Sequence, residues 1–486
     1  MCHSSMDDGA FRVLDKPVQV MDETAVARNS NYQKPNEGLD IDVVAYNIND
    51  LPDVILEHIL SFVPMKDAVR TCVLSKKWQY LWTFCPNVEL CEWQFSWRGQ
   101  FTNFVDRVLD LQCSSCIKRL VLTCRVLGNA SNVNSWVSTA VKRNVKDFTL
   151  RLSCIQGNFV LPYCLFTCAT LTRLTLFFSG ALNLPSSILL PNLKLLHLVE
   201  ITFVDERSTE QLLSSPVLEE LNIIRCNWDN LKTMTICTPM LKILKICDKD
   251  LDGSLIHPYG CRVLIYGNNL ERIHCRSSFL NDYQVERSCL LVKAHINVRC
   301  CHPRRIRQVA YSLHKLLKRM CSVKKLKLSS TAVKVLSSVD ELCSHLPVFP
   351  NLKILDFEHL DLKLQVIIKL LHNAPHLETL RLREGIKPYS SDDEDGVILD
   401  PVPHCFSSHL RQIEIFDSFP FKEEVCMLEF MLKHAMVLEK FMIYRRWAFP
   451  GLGFEENFHK KLLEMCSESK SFQITVIYPK ASSTIY

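Results

Sequence analysis

Two short clusters in the sequence contain residue types that bind metal ions. Cys113 and Cys116 form a Cys-x-x-Cys pair, and Cys300, Cys301 and His302 are consecutive. A structural zinc ion requires four ligands, usually supplied as two closely spaced pairs. Neither cluster has a second pair nearby in the sequence, so simple thiols are favoured over a zinc site. We therefore predict no metal and no cofactor for this chain.

Residues for covalent or phosphate chemistry are no better indicated. A Cys–His nucleophile pair must be assembled by the fold, and with 23 cysteines and 16 histidines such pairs arise by chance. The sequence has no phosphate-binding loop and no dinucleotide-binding fingerprint, and glycine is scarce at 13 residues. The sequence predicts no catalytic residues and a protein that is not an enzyme.

One stretch is strongly basic although the chain as a whole has a net charge of only +5. Residues 293–327 contain eleven Lys and Arg residues and no Asp or Glu. Such a stretch could bind a phosphate-bearing ligand or an acidic substrate, or direct nuclear import. A solvated helix from about Arg304 to Met320, on the outer face of the fold, is favoured over these readings. Tyr311 is the one aromatic residue there, so nucleic-acid binding is not expected.

An acidic run near residue 390 offers a modification site. Ser390 and Ser391 precede Asp392, Asp393, Glu394 and Asp395. Acidic residues at this spacing favour phosphorylation by an acid-directed kinase, which would add charge to the loop. A merely solvated charge run is the favoured interpretation.

Composition bounds the class of protein. The cysteines are spread along the chain inside apolar runs, whereas small secreted scaffolds concentrate theirs in a short chain. The N-terminus shows no signal peptide, and no apolar run reaches the roughly 18–20 residues needed to span a bilayer. We predict an intracellular protein, in the nucleus, the cytoplasm or both, with reduced thiols and no membrane partner.

A repeated motif organises most of the chain. It has the form apolar-x-x-apolar-x-apolar, and its first six copies begin 22 to 28 residues apart, in or near the period of leucine-rich repeats. Each copy supplies one short strand that can bury its apolar side only by stacking on its neighbours. The thirteen copies begin at Ile117, Val145, Leu171, Leu193, Leu218, Leu241, Leu270, Leu291, Val323, Leu352, Leu377, Leu410 and Leu438.

Between the repeat leucines lie residues that should point away from the core. In leucine-rich repeats these positions face the concave side, the usual binding surface. The candidates for target binding are His197, Asn222, Lys245, Asp356, Arg381 and Glu414. Their mixed charges do not identify a target, and an ordinary solvated surface is favoured for each residue taken alone.

A different, densely apolar segment precedes the repeats, at residues 48–87. Pro52 suits the first turn of one helix, Pro64 ends it, and Ser75 is a plausible cap for a third helix through Trp78 to Trp82. On the first helix the apolar residues cover an arc of about 160°, wider than packing on a single core requires. About 40 residues cannot form a sufficient core of their own. The surplus apolar surface is therefore expected to contact another protein.

This segment closely resembles the F-box family, in the version found in large plant families. The resemblance rests on Leu51-Pro52, Ile55-Leu56, Ile59 to Phe62, Lys66 to Thr71, and Val73 to Trp78 followed by Leu81-Trp82. It implies a three-helix module that docks on a Skp1-type adaptor, which in turn joins a cullin and a RING subunit. The adaptor-binding residues that it implies are Leu51, Pro52, Ile55, Leu56, Ile59, Leu74, Trp78, Leu81 and Trp82.

The resemblance extends along the chain. Phe101 to Leu109 and Ser135 to Leu152 are similar to the linker and first repeat of plant F-box/leucine-rich-repeat proteins, and Phe406 to Ile415 with Val437 to Phe441 is similar to their C-terminal FBD region. We therefore predict an α/β fold with a disordered segment at 1–45, an F-box at 46–92, a leucine-rich-repeat solenoid of parallel short strands at 93–400 and an FBD-like cap at 401–486.

The predicted function follows from this organisation. The chain would be the substrate-recognition subunit of an SCF-type ubiquitin ligase (Skp1, cullin and F-box protein), with the F-box on the adaptor and the repeats on an unidentified target protein. The alternative is a ligand-dependent or phosphate-dependent receptor or scaffold that acts outside ubiquitin ligation and uses the basic stretch.

Overall fold

The structure is a computed structural model. It describes residues 48–112, 117–126, 130–155, 159–249, 260–279, 281–286, 290–299, 303–358, 364–383, 401–416, 430–444 and 473–477. The chain divides into two compact units, Met1–Leu51 and Pro52–Tyr486. In the first unit the described residues form a 3-10 helix, Ile48–Asp50, followed by Leu51. The predicted domain boundaries at 45, 92 and 400 remain predictions.

The second unit is built on one long parallel sheet. Within the described residues it contains fifteen strands, and every neighbouring pair is parallel. In spatial order the strands are β1 (Asn87–Cys91), β2 (Arg119–Arg125), β3 (Asp147–Ser153), β4 (Arg173–Leu182), β5 (Leu195–Phe203), β6 (Glu220–Ile224), β8 (Ile243–Cys247), β10 (Arg272–Ser277), β12 (Lys293–Val298), β13 (Lys325–Ser329), β14 (Ile354–Glu358), β15 (Thr379–Arg383), β16 (Gln412–Phe416), β17 (Lys440–Tyr444) and β18 (Gln473–Ile477).

The repeat motif explains this sheet. Each of the thirteen predicted copies contributes one strand, and its last two apolar residues are adjacent inward positions, such as Leu120 and Leu122 on β2. Alternation along a strand sends the residue between them to the opposite face. The predicted solenoid of stacked parallel strands is confirmed. Strands β1 and β18 lie outside the thirteen copies and were not predicted.

A second, smaller sheet was also missed by the repeat analysis. Strands β7 (Thr233–Cys237), β9 (Arg262–Tyr266) and β11 (Asp282–Val285) pair in parallel in the order β11-β9-β7. They lie in the return segments after β6, β8 and β10 of the main sheet. Here the chain returns through extended backbone, because apolar residues alternate on these segments as they do on the main strands.

An α-helix covers each edge of the small sheet, where unpaired backbone groups would otherwise be exposed. Helix α5 (Glu206–Leu213) packs beside β7, and α6 (Ile306–Arg319) packs beside β11. Glu206 Oε1 accepts hydrogen bonds from the amides of Lys232 and Thr233, at 2.7 and 3.2 Å. Glu210 Oε1 accepts one from the amide of Thr235 at 2.7 Å. On that side of β7, these carboxylates accept the amide hydrogen bonds that a neighbouring strand would otherwise accept.

The remaining α-helices lie in the F-box segment and in the other return segments. They are α1 (Asp53–Leu60), α2 (Met65–Arg70), α3 (Arg98–Leu111), α4 (Ala130–Lys142), α7 (Ser330–Ser337), α8 (Asp340–Ser344), α9 (Leu364–His372) and α10 (His404–Ser408). Short 3-10 helices occupy Thr71–Val73, Leu81–Phe84, Glu92–Gln94, Tyr163–Thr167 and Pro303–Arg305. None of the helices in the described part of the chain is long and apolar enough to cross a membrane.

Two prolines in the F-box segment mark the starts of helices. Pro52 and Pro64 directly precede α1 and α2, in an extended conformation that suits proline at a helix start. The predicted third helix differs in detail. Turns follow Ser75, and the helical part is the short 3-10 helix Leu81–Phe84. Trp78 and Trp82 are buried there, so packing of the large rings, more than a regular α-helix, fixes this end of the segment.

The described cysteines are free thiols. Burial raises the pKa of Cys85 to about 11 and the pKa of Cys124 and Cys405 to about 12. Thiols with such values stay protonated in the cell, and a neutral thiol is a poor nucleophile and metal ligand. Cys113, Cys116, Cys300, Cys301 and His302 lie outside the described residues, as do residues 1–45 and the serines at 390 and 391.

Candidate functional site

Helix α1 has two different apolar faces. At 100° per residue, Leu56 and Leu60 lie about 40° apart, and both are buried against the rest of the chain. Val54, Ile55 and Ile59 lie on the other side, over about 140° of the helix circumference. These three side chains are 73%, 45% and 38% exposed. The wide apolar arc in the sequence is thus the sum of an inward stripe and an outward one.

The outward stripe continues beyond the helix. Phe62 follows the helix end and is 77% exposed, with its ring edge against the ring of His58. A second exposed apolar pair, Val73 and Leu74, follows α2. Lys77, which comes soon after this pair, contacts Asp53 at the start of α1 through an ion pair of 3.3 Å. We call Val54, Ile55, Ile59, Phe62, Val73 and Leu74 the F-box face.

The predicted adaptor-binding residues fall into two groups. Pro52, Ile55, Ile59 and Leu74 are exposed, and so is Leu51 in the first unit. Leu56, Trp78, Leu81 and Trp82 are buried in the core of the chain, and their predicted contact with an adaptor remains a prediction. A helical wheel gives the width of an apolar arc but not which part of it the chain itself covers. Val54, Phe62 and Val73 were missed, although the spacing of Phe62 places it beside Ile55.

The chain fixes the F-box segment to the first repeats through buried polar contacts. The Glu92 side chain is only 2% exposed and accepts hydrogen bonds from the Arg125 amide at 2.6 Å and from the Arg125 Nη2 at 2.8 Å. Arg98 lies 3.5 Å from the same carboxylate. The Gln112 Nε2 donates to the Cys85 carbonyl oxygen at 2.6 Å. These bonds join Cys85, near the end of the F-box segment, to Gln112 at the end of α3, and Glu92 to β2 and to the start of α3.

A second candidate surface is the open face of the main sheet, formed by side chains that point away from the core. The register aligns the middle residue of each strand into one row across the sheet. His197, Asn222 and Lys245 are neighbours on β5, β6 and β8, and Asp356, Arg381 and Glu414 are neighbours on β14, β15 and β16. All six predicted target-binding residues lie in this row.

Two members of the row are buried. Asp356 and Glu414 are 1% and 5% exposed. Arg383 donates to both carboxylate oxygens of Asp356, at 2.9 and 3.2 Å, and Arg381 donates to Glu414 at 2.9 Å. The Asp356 carboxylate raises the pKa of Arg383. In this structure both carboxylates anchor arginines on this part of the open face, and the predicted contact of Asp356 and Glu414 with a target remains a prediction.

The middle of the row contains residues that sequence reasoning missed. His274, His295 and Lys327 occupy it on β10, β12 and β13. Applying the same positional rule to the copies at Leu270, Leu291 and Val323 would have found all three. The His274 and His295 rings stack with centroids 4.2 Å apart. Burial, together with nearby cations, lowers the pKa of His274 to about 4, so this ring is neutral in the cell.

The fold divides the basic stretch between two surfaces. Lys293, Lys325 and Lys327 lie on strands and point to the open face. Arg307 and Lys318 lie on α6 and are exposed, while the apolar side of α6 is buried in the core. The predicted solvated helix is therefore present, and it accounts for only part of the charge. Arg304 and Arg305 lie in the 3-10 helix before α6, and not on a strand of the main sheet.

Family models match three successive parts of the chain. The F-box domain model matches residues 48–89, a model described as the leucine-rich repeats of FBD-associated F-box protein At5g56370 matches residues 133–380, and the FBD model matches residues 400–443. Together these matches confirm the resemblance seen in the sequence.

Full-length relatives share this organisation. F-box/LRR-repeat protein At4g14103 of Arabidopsis thaliana is 31% identical over 68% of this chain and 90% of its own length. F-box protein At3g59000 is 30% identical over 82% of this chain and 86% of its own length, and F-box/FBD/LRR-repeat protein At1g78750 is 29% identical over 81% and 88%. The chain therefore belongs to the family of plant F-box proteins with leucine-rich repeats and a C-terminal FBD region.

Proposed function

We propose that the chain is the substrate-recognition subunit of an SCF-type ubiquitin ligase. Its F-box face binds a Skp1-type adaptor, which joins the chain to a cullin and a RING subunit, and its open face binds the target protein. The chain itself performs no catalysis. The protein acts inside the cell, in the nucleus or the cytoplasm, where thiols such as Cys124 and Cys405 stay reduced.

The observation that supports adaptor binding is the outward apolar stripe of α1. Val54 and Phe62 are about three-quarters exposed, and such residues are disfavoured in water at roughly 25 cal/mol for each Å² of apolar surface. Clustered exposed apolar side chains on a soluble protein mark a protein-binding surface. Leu51, in the first unit, remains a proposed adaptor-binding residue.

The buried and the exposed residues of the F-box segment have different roles in this proposal. Leu56, Trp78, Leu81 and Trp82 shape the segment from inside, and the F-box face makes the contact. A change in the buried group would weaken adaptor binding only through loss of the fold. A change on the F-box face would weaken it with the fold intact.

Co-purification with a Skp1-type adaptor tests the proposal. We expect the full chain to capture the adaptor, and the double variant Ile55→Glu, Ile59→Glu to bind about a hundredfold more weakly, because two charges would enter an apolar contact. The matched control is Val160→Glu, Leu189→Glu, which places the same charges at apolar residues that are 50% and 64% exposed on the repeats. The control should bind as the unchanged chain does.

Thermal unfolding of both variants checks that the fold is retained. Equal adaptor capture by the Ile55→Glu, Ile59→Glu variant and the unchanged chain would refute the proposed interface. The double variant Leu51→Ala, Pro52→Ala gives an independent test and should also lower adaptor capture. Proximity labelling under proteasome inhibition would then identify proteins that accumulate next to the chain as targets.

A further inference from the structure

A cavity on the open face has an unusual concentration of positive charge. Its volume is about 310 Å³, and it lies across strands β6, β8, β10, β12 and β13. The lining includes five Lys and Arg side chains, Lys245, Arg272, Lys293, Lys325 and Lys327, and both stacked histidines. Glu220 is the one carboxylate in the lining, and its Oε1 accepts a hydrogen bond from the side-chain Nδ2 of Asn222 at 2.9 Å.

The sheet register places three of these cations side by side. Arg272 pairs with Lys293, and Lys293 pairs with Lys325, on three consecutive parallel strands. Neighbouring strands lie about 4.8 Å apart, so the side chains start within one or two strand spacings of one another. Like charges directly opposite each other in a sheet are destabilising. This row of like charges therefore lowers the stability of the fold unless an anion binds against it.

Four of these five cations have no ion-pair partner among the described residues. Among the residues that the structure describes, no carboxylate is within ion-pair distance of Lys245, Arg272, Lys293 or Lys325. Lys327 differs, since it pairs with Glu358 at 2.5 Å. Burial and the nearby Arg381 guanidinium lower the pKa of Lys325, although Asp356 opposes this effect. Lys245, Arg272, Lys293 and Lys325 lie on four adjacent strands, and together they form a positively charged group that would favour a bound anion.

We propose that this cavity binds an anionic segment of the target protein, carrying clustered carboxylates or phosphorylated side chains. The inference rests on the proposed function, because it assigns target recognition to the open face. Small-molecule sites enclose their ligands, whereas this cavity is open to solvent and extends across five strands. Lys and Arg side chains that project from several strands suit an extended chain with more than one negative group.

Fluorescence anisotropy with short labelled peptides tests the inference on the full chain. The probes are a phosphoserine-rich peptide, its aspartate-rich counterpart and a neutral glutamine counterpart. We expect the anionic peptides to bind, the neutral peptide not to bind, and affinity to fall as ionic strength rises. The variant Lys293→Glu, Lys325→Glu should bind the anionic peptides about a hundredfold more weakly, because two charge-assisted contacts become repulsive.

The control variant is Arg307→Glu, Lys318→Glu, which makes the same change of net charge on α6. It should weaken peptide binding by less than about twofold, since these side chains are screened from the cavity by solvent. Equal losses in the two variants would overturn the proposal, because binding would then reflect net charge alone. Binding of inorganic phosphate or inositol hexakisphosphate without binding of either anionic peptide would overturn the assignment to a target segment.

Stability and adaptor capture separate this inference from the proposed function. Lys293→Gln with Lys325→Gln should leave the thermal midpoint unchanged or raise it, because repulsion between strands is relieved. A lowered midpoint would show a structural role and would count against the cavity as a binding site. Adaptor capture should be normal in all cavity variants. The Ile55→Glu, Ile59→Glu variant should lose the adaptor and keep the peptide.

Discussion

Helices α1 and α6 expose opposite kinds of surface. Each packs a stripe of apolar side chains into the core, with Leu56 and Leu60 on α1 and Leu313 and Leu317 on α6. On the outside, α6 presents charged residues such as Lys318, whereas α1 presents Val54, Ile55 and Ile59. Exposed charges on a helix are stably hydrated, and an exposed apolar stripe is not. The proposed function assigns this exposed apolar stripe of α1 to the adaptor, whereas the charged outer side of α6 is hydrated.

The comparison is tested most strongly by neighbouring residues on α1. Leu56→Ala should lower the free energy of unfolding by about 3 kcal/mol, because it leaves a cavity in the core. Ile55→Ala should change it by less than about 0.5 kcal/mol, because Ile55 is outside. Urea unfolding of the full chain measures both values. Similar losses from the two substitutions would mean that α1 has no separate outward face.

Helix α5 contrasts with α6, because its charged residues Glu206 and Glu210 accept hydrogen bonds from backbone amides of the small sheet. Glu206→Ala with Glu210→Ala should lower the free energy of unfolding by about 1.5 kcal/mol, because three backbone amides at the edge of the small sheet lose their acceptors. Arg207→Ala, on the same helix and also exposed, is the control. An equal effect of the control would show that the two glutamates do not protect this edge.

Charge on the open face should make stability depend on pH. The His295 imidazole, whose Nε2 lies 3.0 Å from the carboxylate, and, with a smaller effect, the Lys327 ammonium hold the pKa of Glu358 below its ordinary value of 4.5. A depressed carboxylate pKa adds stability that is present above the unfolded-state pKa and is lost as pH falls below it. We expect about 1 kcal/mol, discounted for partial exposure. Urea unfolding across the acidic range should show a flatter profile for Glu358→Gln than for the unchanged chain.

The smallest effect is expected on the outer face of α6. Arg307→Gln with Lys318→Gln should change the free energy of unfolding by less than about 0.5 kcal/mol. Adaptor capture should also be unchanged. A loss of adaptor capture in this variant would extend the partner surface from the apolar face of α1 to the charged face of α6, and the contrast between the two helices would fail.

Local patterns in the sequence were sufficient for the repeats and for the F-box. The spacing of leucines in each copy determines which residues of a strand are buried, so thirteen of the fifteen described strands of the main sheet followed from it. The small sheet was not predicted, because its strands, such as β7 and β9, lie in return segments whose conformation depends on neighbouring turns of the solenoid. Its apolar alternation at Met234 and Ile236 was a usable signal.

The same distinction between local pattern and tertiary structure applies to the candidate sites. The sequence by itself determined that residues 48–87 carry more apolar surface than they can bury, and that the residues between repeat leucines form a surface. Tertiary structure decided that Leu56 and Trp78 lie inside, that arginines cover Asp356 and Glu414, and that Lys293 and Lys325 lie side by side while Lys318 lies elsewhere. Burial and cross-strand neighbours depend on residues far apart in the chain, and a local pattern does not contain that information.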